Sequence, residues 1–427
     1  MVLEMVMESL FAVVDVFFVA RLGSAAVATV GLTESMLTLV FSIALGLSLS
    51  TTAMVARRIG EKDREGAAVA AVQSIAIGLA VAVAVGIAGV WFAPHLLGLM
   101  GASDQIVATG SRYTAIVFGS NWAVMLLFLN NAIFRGAGDA SIAMRVLWLS
   151  NLINLVLDPC LIFGLGPFPE LGVTGAAVAT STGRGIGVLY QFYILFRGNG
   201  RIQIRARHLR LNAGVMMTLI RVSLTGILQF LIAHASWIGL ARMVASFGDA
   251  AVAGYTIAIR IIIFAIMPSW GLSNAAATLV GQCLGAKKPE RAERAVWVTA
   301  FYNMLFLGAE GVVFIVFAEP IVRLFTSSTD TVQVAVQCLR LISYGNIAYA
   351  WGMVMVQAFN GAGDTVTPTI INVFCYWMWQ LPLAYALAVA WSMGPSGVFL
   401  AIPIAEATMA VVAIVLFRRG DWKKKHI

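Results

Sequence analysis

The chain has 427 residues, of which 60% are hydrophobic and only 11% charged, with a formal net charge of +8. Soluble proteins are about 25% charged and roughly 45–50% apolar, so this composition excludes a soluble globular enzyme and a disordered chain. Lys and Arg fall in short clusters between long apolar runs rather than along one continuous face, which excludes a nucleic-acid partner.

Crossing a bilayer takes about 20 apolar residues at roughly 1.5 Å each. Twelve such runs follow one another, at approximately 2–20, 25–55, 67–92, 105–134, 142–164, 172–196, 214–246, 250–280, 295–317, 331–359, 367–391 and 397–417. The sequence therefore predicts an all-α polytopic membrane protein. Its first twenty residues include Glu4, Glu8 and Asp15 and no basic stretch, which argues against a cleaved signal peptide. Cys160, Cys283, Cys338 and Cys375 form no C-x-x-C and sit in or beside apolar runs, so neither disulfides nor metal sites are expected.

The loops set the orientation. Connections after even-numbered spans hold Arg57, Arg58, Lys62 and Arg64, then Arg135 and Arg145, then five arginines from Arg197 to Arg210. Lys287, Lys288, Arg291 and Arg294 follow, and the tail adds Arg418, Arg419, Lys423, Lys424 and Lys425. Only Arg21 and Arg323 lie on the other side. This asymmetry predicts cytoplasmic termini and a multi-pass protein of the cell (inner) membrane.

An internal repeat runs at an offset of 225. Gly23-Ser-Ala-Ala-Val-Ala28 returns as Gly248-Asp-Ala-Ala-Val-Ala253, Gly46-Leu-Ser48 as Gly271-Leu-Ser273, and Phe134-Arg-Gly-Ala-Gly-Asp139 as Phe359-Asn-Gly-Ala-Gly-Asp364. The predicted organisation is an N-terminal six-helix lobe (1–200), a basic cytoplasmic linker (201–213), a C-terminal six-helix lobe (214–417) and a basic tail (418–427). Six spans per half make the repeats parallel, an arrangement used by transporters that rock one half against the other.

Ionisable groups inside spans cost roughly 2.5–3.5 kcal/mol at the bilayer centre and call for a reason. Glu4, Glu8 and Asp15 form one stripe on the first span, while Asn154 and Asp158 stand at i, i+4 on the fifth, just before Pro159. Helix rise puts Asp15 and Asp158 roughly 8–9 Å, and Tyr113 and Thr180 about 12 Å, inside the outer boundary. Shifted by 225, Asp15, Tyr113, Asn154 and Asp158 become Leu240, Cys338, Trp379 and Leu383. This one-sidedness points to an ion or proton site in the first half. In the second half, Arg260, Glu310 and Glu406 read as a self-satisfying Arg–carboxylate cluster, and His234 as a hydrogen-bonded packing residue. Gly183-x-x-x-Gly187 suggests a helix-packing contact. No P-loop, H-E-x-x-H or G-x-S-x-G occurs, so no enzyme is expected and no cofactor beyond the coupling ion.

Val14-Asp-Val-Phe-Phe-Val-Ala-Arg-Leu-Gly23, the duplicated Gly-Ala-Gly-Asp loop and Asn154-Leu-Val-Leu-Asp-Pro159 together resemble the multidrug and toxic compound extrusion family, in its DinF-like branch. The resemblance implies two six-helix lobes forming a V and antiport of amphipathic, mostly cationic organic compounds against protons or sodium. It implies ion-coupling roles for Asp15, Asp158, Asn154, Tyr113 and Thr180, with Asp15 and Asp158 the pair that would hold a sodium ion. Glu8, Asn131 and Asn154 match substrate-facing positions. The expected partners are small organic cations and the lipid bilayer, with the protein a monomer. Members of that family carry a cytoplasmic lead and a proline early in the first helix; this sequence starts at about that point, which leaves bending of the first helix open. The alternative, a lipid-linked precursor flippase of the same superfamily, would want a strongly cationic cavity.

Overall fold

The computed structural model describes residues 1–197 and 200–425; the side chains of 8–16 and 20 lie outside that description. The described residues form helices and no strand. Among them, nine helical segments are long and apolar enough to cross a membrane. Large apolar side chains stay uncovered along them, with Trp91 77%, Leu99 85% and Val312 61% exposed. Backbone polar groups are satisfied within each helix, so such surfaces are compatible with hydrocarbon around them.

The chain divides into two compact units, Leu3–Ser223 and Leu224 onward. In the first, α1 (Val2–Val19), α2 (Ser24–Gly60), α3 (Arg64–Leu99), α4 (Asp104–Gly119), α5 (Asn121–Ala137), α6 (Ala140–Phe163) and α7 (Val173–Arg197) precede α8 (Ala213–Ala245). In the second come α9 (Asp249–Gly285), α10 (Pro289–Arg323), α11 (Thr329–Ser343), α12 (Asn346–Gly361), α13 (Val366–Asn372), α14 (Leu381–Tyr385) and α15 (Pro395–Arg419). The expected fourth and tenth spans are thus each two helices, broken at Ser120 and at Tyr344–Gly345.

The repeat extends to the backbone torsions. Gly23 and Gly248 have φ of 97° and 101°, Lys62 and Lys287 of 62° and 57°, and Gly138 and Gly363 of 85° and 83°. A left-handed lysine costs about 1–2 kcal/mol, yet both halves hold one at the same turn. The symmetry stops after α13, where π-helical turns at Val373–Gln380 and Ala386–Ala390 flank α14. Pro382 lies on α14 and has no N–H to donate, which favours a shift of the hydrogen-bond ladder there.

The basic linker and the basic tail are both docked. The linker is fastened to the first unit at three points: Arg201 N–H donates to Asp139 Oδ2 (3.1 Å), buried His208 Nε2 lies 2.6 Å from Glu65 Oε2, and Gln73 Nε2 donates to Arg210 O (3.0 Å). In the tail, Trp422 is fully buried and stacked on Phe417, while Lys423 pairs with Glu293 at 2.5 Å. A tryptophan inside a basic run thus acts as an anchor for the chain end.

Candidate functional site

The site is built where α6 meets α7. Glycines on α7 let the two backbones approach: a Cβ at Gly175 would stand 2.3 Å from Leu161 O, and one at Gly183 2.8 Å from Ser150 O. The Gly183-x-x-x-Gly187 spacing is therefore a packing contact, as its residue types suggest. At this seam Asn154 Nδ2 donates to Asp158 Oδ1 (3.2 Å) and to Thr180 Oγ1 (3.2 Å). Asn154 and Asp158 are 1% and 0% exposed. The i, i+4 spacing puts both on one face of α6, which runs unbroken through Pro159 to a left-handed Gly164.

Tyr113 of α4 is buried beside this seam, in an apolar group with Val19, Val30, Ile162, Ala176 and Ala177. The structure thus brings Asn154, Asp158 and Thr180 into direct contact and sets Tyr113 next to the α6 and α7 ends that carry them. The side chains of Asp15 and Glu8 lie outside the described residues, although both positions fall on α1. Thr180 also lines a cavity with Ser120, Ser181 and Arg184 on one side and Leu37, Val40 and Phe41 of α2 on the other. The Ser120 and Ser181 hydroxyls are 2.6 Å apart across its wall.

Asn131, expected to face substrate, is 5% exposed and accepts from Gln191 Nε2 at 2.7 Å; Asn130 Nδ2 donates to Gln191 Oε1 at 3.1 Å. Glu4 is fully buried and ion-paired with Arg135 at 2.6 Å, so Arg135 belongs to the interior rather than to the basic loop. The sequence analysis singles out neither Gln191 nor Arg184, and counts Arg135 with the loops. Gln191 is uncharged, but its counterpart at the 225 offset, Leu416, would have marked it.

The second half departs from expectation. Arg260 is exposed and shares no ion pair with Glu310 or Glu406, so the anticipated Arg–carboxylate cluster does not form. The physical reason is helical phase: on α9, Ala258, Ile259, Ile261 and Ile262 turn inward and leave position 260 outward. Both Glu310 oxygens are shielded and lack a hydrogen-bond partner. Glu406 is 8% exposed, and its Oε2 would lie 3.1 Å from a Cβ at Gly345. His234 Nδ1 lies 2.9 Å from Phe230 O, a packing hydrogen bond. Among the described residues no group of three or more His, Cys, Asp or Glu is arranged to hold a metal.

The MatE family model matches residues 1–160 and 223–386. The chain belongs to the MatE family. It is 26% identical over 429 residues to a probable multidrug resistance protein NorM of Thermotoga maritima, covering 99% of this chain and 91% of that one. It is 25% identical over 411 residues to an FAD transporter of Shewanella oneidensis, covering 96% and 90%. A multidrug resistance MATE transporter solved in an outward-facing conformation superposes with a TM-score of 0.93 at 27% identity, covering 100% of this chain and 95% of that one. A transporter of the MOP superfamily from Pyrococcus furiosus, whose structure is described by a reversed polarity of its binding pocket, gives the same TM-score and identity, covering 99% and 94%. The chain is thus a multi-pass membrane transporter, with relatives that act in multidrug efflux and take small molecules.

Proposed function

We propose that this MatE-family protein is a secondary antiporter that exports amphipathic, mostly cationic organic compounds in exchange for protons or sodium, with the ion site in its N-terminal half. The observation that carries the reading is the buried Asn154–Asp158–Thr180 group, set in a half whose repeat counterparts are Trp379, Leu383 and Ala405. Burying an ionised carboxylate is unfavourable, so binding a proton or sodium at Asp158, with Asp15 on α1, stabilises the closed interior. Ionised, the same carboxylates attract an organic cation, so ion and substrate compete for one charge state. Only a differential affinity of this kind can shift a conformational equilibrium. In this reading the protein is a monomer in the cell membrane with both termini cytoplasmic, an orientation supported by the basic loops.

The cavity beside the seam also carries Arg184, and one relative is named an FAD transporter. The test therefore uses two substrates, a fluorescent organic cation and a flavin nucleotide, in proteoliposomes under a pH gradient alone or a sodium gradient alone. The expected result is cation export driven by one gradient and reduced at least tenfold in Asp158→Asn. Flavin export without cation export would overturn the substrate class, and full activity in Asp158→Asn would overturn the ion site.

A further inference from the structure

Below the Asp158 group the polar residues do not stop. On α6, Asp158, Asn154 and Ser150 recur every four residues and are all buried, at 0%, 1% and 1% exposure. Opposite Ser150, α7 carries Gly187, where a Cβ would stand 2.2 Å from the Ser150 hydroxyl. One turn further along α7 is Gln191, bonded to Asn130 and Asn131 of α5. One turn along α5 from Asn131 lies Arg135, with Glu4.

Measured from the helix ends at Val2, Ala137, Ala140 and Arg197, the rungs form a ladder. Glu4 and Arg135 stand at about 3 Å, Gln191 and Asn131 at about 9 Å, and Ser150, Asn154 and Asp158 at about 15, 21 and 27 Å. A spacing of about 6 Å is what one bridging water spans with two hydrogen bonds of ordinary length.

The rungs also carry unfilled acceptors. Glu4 Oε2, Asn130 Oδ1, Ser150 Oγ and Asn154 Oδ1 are buried and have no hydrogen-bond partner. Buried polar atoms are bonded in the great majority of cases, and ordered water is the usual remaining partner. The repeat supplies a control. At the 225 offset, Ser150, Gln191 and Asn131 become Cys375, Leu416 and Val356, and the Glu4–Arg135 pair becomes Gln229 and Asn360. The shared fold does not need this ladder.

We propose that the seam between α6 and α7 of the N-terminal half is a hydrated proton wire that leads from Asp158 to the Glu4–Arg135 pair. This rests on the antiport reading and narrows its ion to the proton. A proton leaving the Asp158 carboxyl passes along water and the Ser150 hydroxyl, then past the Asn131–Gln191 amides on water. It is taken up at Glu4 Oε2, which neutralises the carboxylate and loosens its hold on Arg135. Release of that proton to the cytoplasm restores the ion pair. No atom is gained or lost beyond the one proton carried.

The test uses full-length protein in proteoliposomes and two conservative variants, Ser150→Ala and Glu4→Gln, the second installing the residue type of Gln229. Proton influx coupled to substrate export is read with an internal pH dye, and exchange of labelled substrate is read without any gradient. The wire predicts that coupled proton influx falls about tenfold in both variants while gradient-free exchange stays within about twofold of wild type. Coupled influx within twofold of wild type in both variants would overturn it. A parallel loss of gradient-free exchange would also overturn it, because the rungs would then serve structure or substrate. Wild-type export driven by sodium but not by a pH gradient would refute the wire and leave antiport standing. Full activity of Asp158→Asn would instead remove the antiport site itself.

Discussion

The two halves of the molecule share turns and helix breaks at a constant offset but fill their interiors differently. The N-terminal half lines up one set of buried polar groups along a seam, from Asp158 and Asn154 through Ser150 and Gln191 to Glu4 and Arg135. The C-terminal half divides its own into small neutral sets: Ser269 bonds Asn303, Gln357 bonds Asn274, and Ser236 bonds Gln380. Two of its carboxylates within the spans, Glu310 and Glu406, have no cation paired with them among the described residues, whereas buried Asp364 pairs with Lys425 at 3.3 Å. The difference shows which features the fold requires. Left-handed turns at Gly23 and Gly248, or Lys62 and Lys287, occur in both halves and belong to the architecture. The buried Arg135–Glu4 pair is matched at the 225 offset by Asn360 and Gln229, so the architecture common to both halves does not require it.

Removing the charge at Arg135 is the most disruptive way to break this comparison. Arg135→Ala leaves the Glu4 carboxylate fully buried without its counter-charge, and should cost about 3–5 kcal/mol. Thermal unfolding in detergent would show this as a clear fall in Tm. The double variant Glu4→Gln, Arg135→Asn copies Gln229 and Asn360 and should recover most of that loss. If it unfolds as readily as Arg135→Ala, the halves are not interchangeable at this level.

A smaller effect is expected at the seam. Gly183→Ala forces a Cβ to within 2.8 Å of the Ser150 carbonyl, so α7 must move away from α6. Overpacking of this kind costs about 1–3 kcal/mol, and Tm is again the measurement. The equivalent position in the other half is Thr408, a side chain larger than alanine. Thr408→Ala should therefore shift Tm less than Gly183→Ala does.

Much of this was legible in the sequence, for identifiable reasons. Apolar run length gave the spans, because hydrocarbon thickness fixes it, and the 225 offset exposed the duplication. The Asn154–Asp158 contact followed from i, i+4 spacing on one helix, which needs no tertiary knowledge. Contacts between helices were less accessible. Arg135 was counted with the loop charges because its burial depends on Glu4, 131 residues away in sequence. Arg260 was assigned to the interior because depth along a span was considered without its phase around the helix. Trp422 stood in a basic run, and only its stacking on Phe417 reveals an anchor. Asp15 and Glu8 lie outside the described side chains, so their part in the site stands on the resemblance and on helix register.

The claim that coupling belongs to the N-terminal half is tested most directly by neutralising buried carboxylates in each half separately. Gradient-driven efflux would be compared between Asp158→Asn and the double variant Glu310→Gln, Glu406→Gln, with equal amounts of folded protein in the same liposomes. The asymmetry predicts loss of at least tenfold in the first and a rate within about twofold of wild type in the second. The reverse pattern, with drive surviving in Asp158→Asn and lost in the double variant, would contradict it.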